Sequence, residues 1–330
     1  MELKNIKKIV LHLHLDGSLD LDLAKKYVKE DGYNLTDKEI IKDLQVDKTC
    51  HNLNDYLDKF TLAISLLQTK ERLEEATYTL FKKLSKENVI YAEIRFAPIK
   101  HKEKSLSLDE VISSVIKGME KAKNEFNIYG GIILCCMRDS SKEDNLEIVN
   151  YANKYLNKGV VAIDLAGAES LYKTKNFKYI FDLCRKENIP YTIHAGEADG
   201  KESINSALDF KTKRLGHGIR CIEDKDIMER IINDRILLEI CPTSNFQTEA
   251  IKGKHPLEYL YNNNILISIN TDNDTVSNIN INDEYSNVLN TTNLTINDLV
   301  KCNYNSIPYL FTTDDIKNKL KEIIEKENFI

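Results

Sequence analysis

"KIVLHLHLDGSL", residues 8–19, decides how the rest of the chain is read. An apolar run carries two histidines two positions apart, His12 and His14, and then breaks at Asp16-Gly17. In a β-strand, residues i and i+2 share a face, so both imidazoles project together from a segment that otherwise looks like core. A single histidine in an apolar strand more often packs in a core than binds anything. Two on one face, running into a turn, point to a strand that delivers polar groups at its C-terminal end.

Seven further runs of this kind follow. They are "VIYAEIRFAP" at 89–98, "GGIILCCMR" at 130–138, "VVAIDLAG" at 160–167, "YTIHAGE" at 191–197, "RLGHGI" at 214–219, "ILLEICPTSN" at 236–245 and "ILISINTDN" at 265–273. Charged amphipathic stretches separate most of them. In 105–126, for example, Leu108, Val111, Ile112, Val115, Ile116 and Met119 recur at helical spacing. Strand and helix alternating in this way predict parallel βα units, and eight of them close a (β/α)8 TIM barrel. The first connection is the exception, at about 70 residues. It predicts a helical cap inserted after the first strand, over about 18–88, with helical pieces at 53–67 and 70–86. The whole chain, 1–330, reads as one domain. It closes with a helix opening at Thr312 or Thr313, with Ile316, Leu320, Ile323 and Ile324 as its apolar stripe.

Composition narrows the partners. A hydrophobic content of 42% over 330 residues is enough for a large core. The net charge of −6 is spread in mixed sign, leaving no basic footprint for nucleic acid. Seven cysteines without a Cys-x-x-Cys pair are expected in a reduced, cytoplasmic chain. Neither a signal-type apolar segment nor a membrane-spanning window is present in the sequence.

The polar residues gather where the runs end. His12, His14 and Asp16 close the first, His194 and Glu197 the fifth, His217 the sixth, Thr243-Ser244-Asn245 the seventh, and Asp272-Asn273 the eighth. In a parallel barrel these ends share one rim, the rim that carries active sites. His12, His14, His194 and Asp272 form a set of three nitrogens and a carboxylate oxygen suited to zinc, with a position left for water. Zinc lowers the pKa of such a water from 15.7 to about 7. His51, His101 and His255 lack this context and are expected to be structural or solvated. Glu93, Arg95, Asp164 and Arg214 are expected to form structural ion pairs within the barrel, apart from the chemistry.

"LHLHLDGSL", "YAEIRFAP", "ILCCMRD", "DLAGAES", "HAGE", "LGHGIR", "CPTSN" and "SINTDN", in this order, resemble the adenosine deaminase family of the amidohydrolase superfamily. The resemblance covers nearly the whole chain, and the ordered set is far more specific than His-x-His alone. It implies hydrolytic deamination of adenosine and 2′-deoxyadenosine, with one Zn2+ per chain on His12, His14, His194 and Asp272. It further implies that Glu197 hands a proton to purine N1 and that His217 orients or deprotonates the attacking water. By the same resemblance His14 lies beside the substrate, the Gly167 backbone meets purine N3 and Asp16 meets the ribose hydroxyls. "HNLNDYLDKF" resembles the family's lid, with Leu53, Tyr56, Leu57 and Phe60 at helical spacing to cover the nucleoside or pack on the barrel. Met137 is a further candidate for the pocket wall.

Two residues depart from the family pattern. Asn273 stands where a second Asp is common. An amide donates to a purine N7 without needing protonation, so the contact is expected to persist. Ala97 stands where Ser is common, with little consequence expected. The implied partner is a small nucleoside; protein partners are unknown. Alternatives are a deaminase of adenine, of an N6-substituted AMP or of another aminopurine, and a nucleoside-binding barrel without turnover.

Overall fold

The computed structural model describes residues 3–47, 50 and 52–326. The expectation for His51 lies outside them. All eight apolar runs form strands: β1 Lys8–His14, β2 Val89–Phe96, β3 Tyr129–Met137, β4 Val160–Ala166, β5 Ile193–Ala195, β6 Arg214–His217, β7 Leu237–Ile240 and β8 Leu266–Ile269. β1 is buried at every position. That is why its sequence is a continuous apolar run rather than an alternating one: helices cover one face and the barrel interior the other.

The strands pair in parallel as two ladders, β1-β2-β3-β4 and β5-β6-β7-β8. Single parallel bridges, Ile163 to Tyr191 and Leu13 to Asp272, join the ladders at both seams. The second seam is held by His14 N–H to Asp272 O at 2.8 Å and Asp272 N–H to His12 O at 3.2 Å. The ring is thus the expected (β/α)8 TIM barrel, and its closure brings the first and last polar run ends into contact.

Among the described residues, five helices lie between β1 and β2: α1 Leu21–Glu30, α2 Asp37–Leu44, α3 Leu53–Leu57, α4 Phe60–Leu66 and α5 Lys70–Lys86. The piece expected at 53–67 is broken at Asp58-Lys59. α5 packs on β2 and on α6, Leu108–Phe126, so it belongs to the outer ring of barrel helices. Of the inserted helices, α1, α2 and α4 pack on one another, and α3 and α4 carry the residues that face the barrel mouth. α6 begins with a capping box in which Ser107 and Glu110 satisfy each other's backbone N–H. Its Leu108, Val111, Ile112, Val115 and Met119 are buried against the sheet. The last helix, Asp314–Glu325, follows Thr313 and buries Leu320 and Ile324. The seven cysteines are all free.

β1 contains an irregularity that positions the histidines. Val10 and Leu13 pair with Ala92 and Ile94, so three steps on β1 match two on β2. One extra residue at Leu11-His12 makes a bulge and reverses which residues face inward. Below it, Ile9 and Leu11 join an interior cluster with Tyr91 and Leu237. Val10, Leu13 and Leu15 pack with the surrounding helices. His12 and His14 then face the interior above the bulge. The two successive N–H groups of the bulge, Leu11 and His12, both donate to Asn270 Oδ1, at 2.8 and 3.1 Å. Replacing Asn270 with Ala strips both donors of their acceptor in a dry interior. The expected loss is about 1–3 kcal/mol per unpaired donor, read as a lower urea midpoint at unchanged slope.

Candidate active site

A cavity of about 380 Å³ opens at the C-terminal rim of the barrel beneath the cap, within the range of small-molecule sites. Its wall includes His14, Asp16, His194, Glu197, His217, Asp272 and Asn273, with Gly167 and Met137. Leu53, Tyr56, Leu57 and Phe60 of the cap also line it, as does Ala97. His12 is fully buried just behind the wall. Every site residue expected from the sequence is therefore in or against one cavity.

The donor atoms converge. Among the described residues, His12, His194, His217 and Asp272 present ligand atoms all within 4.8 Å of one another. His14 joins from the side, its Nε2 3.3 Å from His194 Nε2 and 3.5 Å from Asp272 Oδ1. His12 Nε2 is 3.3 Å from the same Asp272 oxygen and has no hydrogen-bond partner. Ligands bound at 2.0–2.1 Å to a tetrahedral ion are about 3.3 Å apart. Mutually facing lone pairs at that spacing, with one buried nitrogen orphaned, fit a divalent cation. By distance alone, however, either His14 or His217 could complete the set.

Carboxylates deeper in the barrel orient two of the imidazoles. His12 Nδ1 lies 2.8 Å from Glu239 Oε2, and His194 Nδ1 lies 2.8 Å from Asp164 Oδ2. Lone pairs cannot face each other at that distance, so Nδ1 carries the proton in both rings and Nε2 is left to coordinate. Burial alone would raise the Glu239 carboxyl, but Arg214 and Arg95 hold it well below the usual range. Asp164 pairs with Arg95 at 2.8 Å, as expected of a structural ion pair, and Arg214 pairs with Glu93 at 2.6 Å. Yet Asp164 is not apart from the chemistry, because the same oxygen faces His194. Glu239 gave no signal in "ILLEI" beyond being an acid in an apolar run, which was the available clue.

Other residues complete the rim. Ser244 Oγ donates to Asp272 Oδ2 at 2.6 Å, leaving Oδ1 toward the histidines. Asp272 and His217 both adopt left-handed backbone, with φ of 64° and 61°. This strained conformation is typical of functional sites. A Cβ on Gly17 would lie 1.8 Å from Asn273 Oδ1, so only glycine lets the Asp16 turn pass beneath that amide. The Asn273 amide donates to the Tyr56 hydroxyl at 3.1 Å, and that hydroxyl meets Ser277 Oγ at 2.6 Å. Tyr56 thus packs against the barrel rim and lines the cavity at once. Asp16 is buried, with Oδ2 3.7 Å from His101 Nε2 and Oδ1 unpartnered. His101 is structural as expected, its Nδ1 2.9 Å from Leu67 O.

Glu197 sits in a turn held by a residue that the sequence reading passed over. The Glu169 carboxylate accepts the backbone N–H groups of Gly196, Glu197, Ala198 and Asp199 at 2.7–3.0 Å, and also the Ser203 hydroxyl. The clue was the final acid of "DLAGAE". Burial, then the charges of Asp272 and Glu169, push the Glu197 carboxyl well above its ordinary value. Glu169→Gln removes one of those charges. The Glu197 carboxyl should then lose its proton more easily, moving the alkaline limb of a kcat–pH profile to lower pH. An unmoved limb would separate Glu169 from the electrostatics of Glu197.

The sequence model of the family described as "Adenosine deaminase" matches residues 7–327. A relative from Clostridium perfringens named "Adenosine deaminase" is 40% identical over 327 residues, covering 97% of this chain and 98% of its own length. Among solved structures, an adenine deaminase from Arthrobacter aurescens superposes with a TM-score of 0.90 at 22% identity, covering 98% of this chain and 100% of the other. An Arabidopsis N6-mAMP deaminase does so at 0.87 and 25%, covering 98% and 99%.

Proposed function

The chain belongs to the adenosine deaminase family, and on that premise we propose that it hydrolyses adenosine and 2′-deoxyadenosine to the corresponding inosines with release of ammonia. One observation carries the reading. At the floor of a single cavity, a carboxyl pushed toward its protonated form stands beside a buried cluster of imidazoles and a carboxylate whose polar atoms converge. A cation site alone would serve many hydrolases. The neighbouring acid, its carboxyl raised by burial and by the charges of Asp272 and Glu169, is the proton donor that an aminopurine requires.

His12, His14, His194 and Asp272 would hold one Zn2+ per chain, their three nitrogens and one oxygen matching its preferences. Bound there, zinc would supply a Lewis acid that makes water nucleophilic near neutral pH. The rest of the chemistry belongs to this chain. C6 of a neutral purine is a poor electrophile, and proton donation to N1 by Glu197 makes it a better one. His217 orients the attacking oxygen. The C6–O bond forms, the C6–N6 bond breaks, and its electron pair leaves with ammonia. Of the two water protons, one replaces the proton that Glu197 gave to N1 and the other leaves on ammonia, so the acid is restored.

The remaining wall would bind the nucleoside. Asp16, with an unpartnered buried oxygen, would accept from the sugar hydroxyls. The Gly167 backbone and the Asn273 amide would meet the ring nitrogens, and Leu53, Leu57 and Phe60 would cover the base. Lys100 is the cation among the described residues of the cavity wall, and its Nζ lies 2.7 Å from Asp139 Oδ2. A 5′-phosphate would meet a cation already neutralised, which favours a nucleoside over a nucleotide.

A substrate panel on metal-analysed protein tests the reading. Adenosine and 2′-deoxyadenosine should be turned over with the highest kcat/KM, seen as falling absorbance near the adenosine maximum. Turnover of adenine or N6-methyl-AMP with silence toward adenosine would overturn it. Glu197→Gln should keep the metal while losing on the order of 10²–10⁴ in kcat. Because the acid works protonated and its pKa is raised, wild-type kcat should fall as pH rises through that value. Asn273→Asp must be protonated to donate, so its KM for adenosine should climb with pH. An unchanged KM and pH profile would show that Asn273 does not touch the base.

A further inference from the structure

We propose that Asn245 and His255 are positioning residues, which hold His217 as the tautomer with its proton on Nε2 through a directed chain of hydrogen bonds starting at the Leu257 amide. The chain has a fixed first link, because a backbone N–H can only donate. Leu257 N–H gives to His255 Nδ1 at 3.0 Å, so that nitrogen is unprotonated and the ring proton sits on Nε2. His255 Nε2 lies 3.2 Å from the Asn245 side-chain oxygen, the acceptor that an N–H needs. The amide is thereby oriented, and its NH2 faces His217 Nδ1 at 3.0 Å. His217 Nδ1 must accept, which places the proton of the neutral ring on Nε2. All three side chains are buried, and burial lowers His255 to about 4, which keeps its Nδ1 free of a proton at neutral pH.

The consequence separates imidazoles that distance alone does not. His12 and His194 have a carboxylate on Nδ1 and present a lone pair from Nε2. His217 has an amide donor on Nδ1 and presents an N–H. It is therefore wired against coordination and toward hydrogen-bond donation to an oxygen near the cluster, with its Nε2 3.5 Å from Glu197 Oε2. His14 is left as the third imidazole with a nitrogen turned to His194 and Asp272. His255, which its sequence context marked only as structural or solvated, thus reaches the reacting centre from a loop 38 residues beyond His217.

The role in turnover rests on the deaminase reading; the tautomer does not. The test is long-range ¹H–¹⁵N correlation on metal-loaded, ¹⁵N-histidine-labelled protein, with kinetics on the same samples. Wild-type His217 should show unprotonated Nδ1 and protonated Nε2. His255→Leu removes the donor that orients Asn245, so the Nδ1-protonated form should appear, with kcat down about 10- to 100-fold and KM little changed. His255→Gln, which can still donate to Asn245, should restore most of both. Asn245→Asp offers only an acceptor and should draw the proton to Nδ1, which keeps the proposal open to test if His255→Leu fails to fold. Wild-type His217 protonated on Nδ1 would overturn the proposal. So would a folded His255→Leu with unchanged tautomer and kcat. Correct tautomers without turnover of any aminopurine would instead refute the deaminase reading.

Discussion

Arg95 is the group on which the site depends. Its guanidinium, wholly buried in the barrel, lies 2.8 Å from Asp164 and 2.7 Å from Glu239. Each of those carboxylates holds one imidazole, His194 and His12 respectively. The guanidinium also donates to Leu11 O at the β1 bulge. One planar, permanently charged side chain thus spaces two acids, and the acids set the protonated edge of two rings. A buried pair of this kind adds little net stability over an apolar core, but losing one partner typically costs 3–5 kcal/mol because a charge is left unpaired. Its use here is geometric: lone pairs are aimed in advance at a common point.

The barrel interior is layered accordingly. At the N-terminal end the chain's own C-terminal segment closes it, with Phe311 stacked 4.1 Å from Arg214 and its N–H on Glu93. Above lie the arginine–carboxylate pairs, then the imidazoles and Asp272, then the cavity. Polarity rises toward the rim, and the apolar cap residues close over it. The arginines and carboxylates of the charged layer pair with one another, while His12 Nε2 and Asp16 Oδ1 stand unpartnered at the site, as do Arg95 Nε and Asp164 Oδ1 beneath it.

Much of this was legible in the residues. Eight apolar runs became eight strands because strands buried on both faces must be apolar throughout, a pattern that needs no tertiary information. The polar run ends marked the rim, and His12, His14, His194, His217, Glu197 and Asp272 all arrived there. What escaped was support rather than chemistry. Asp164 was read as a structural acid only, Ser244 only as one of three polar residues closing the seventh run, and Glu239, Glu169 and Asn270 were not singled out. None of them differs locally from an ordinary polar residue in a strand or turn.

The sequence by itself determined the strand count, the parallel order, the rim and the donor types, since these follow from burial pattern and residue chemistry along a local stretch. Only the tertiary structure decided which edge of each imidazole faces the centre. A tautomer is set by whatever lies against the other nitrogen. For His12 that is Glu239, 227 residues away, and for His217 it is Asn245 in the short helix Pro242–Gln247 that follows β7. Barrel closure brings these partners together, and no spacing in the chain records whether the partner is a carboxylate that accepts or an amide that donates.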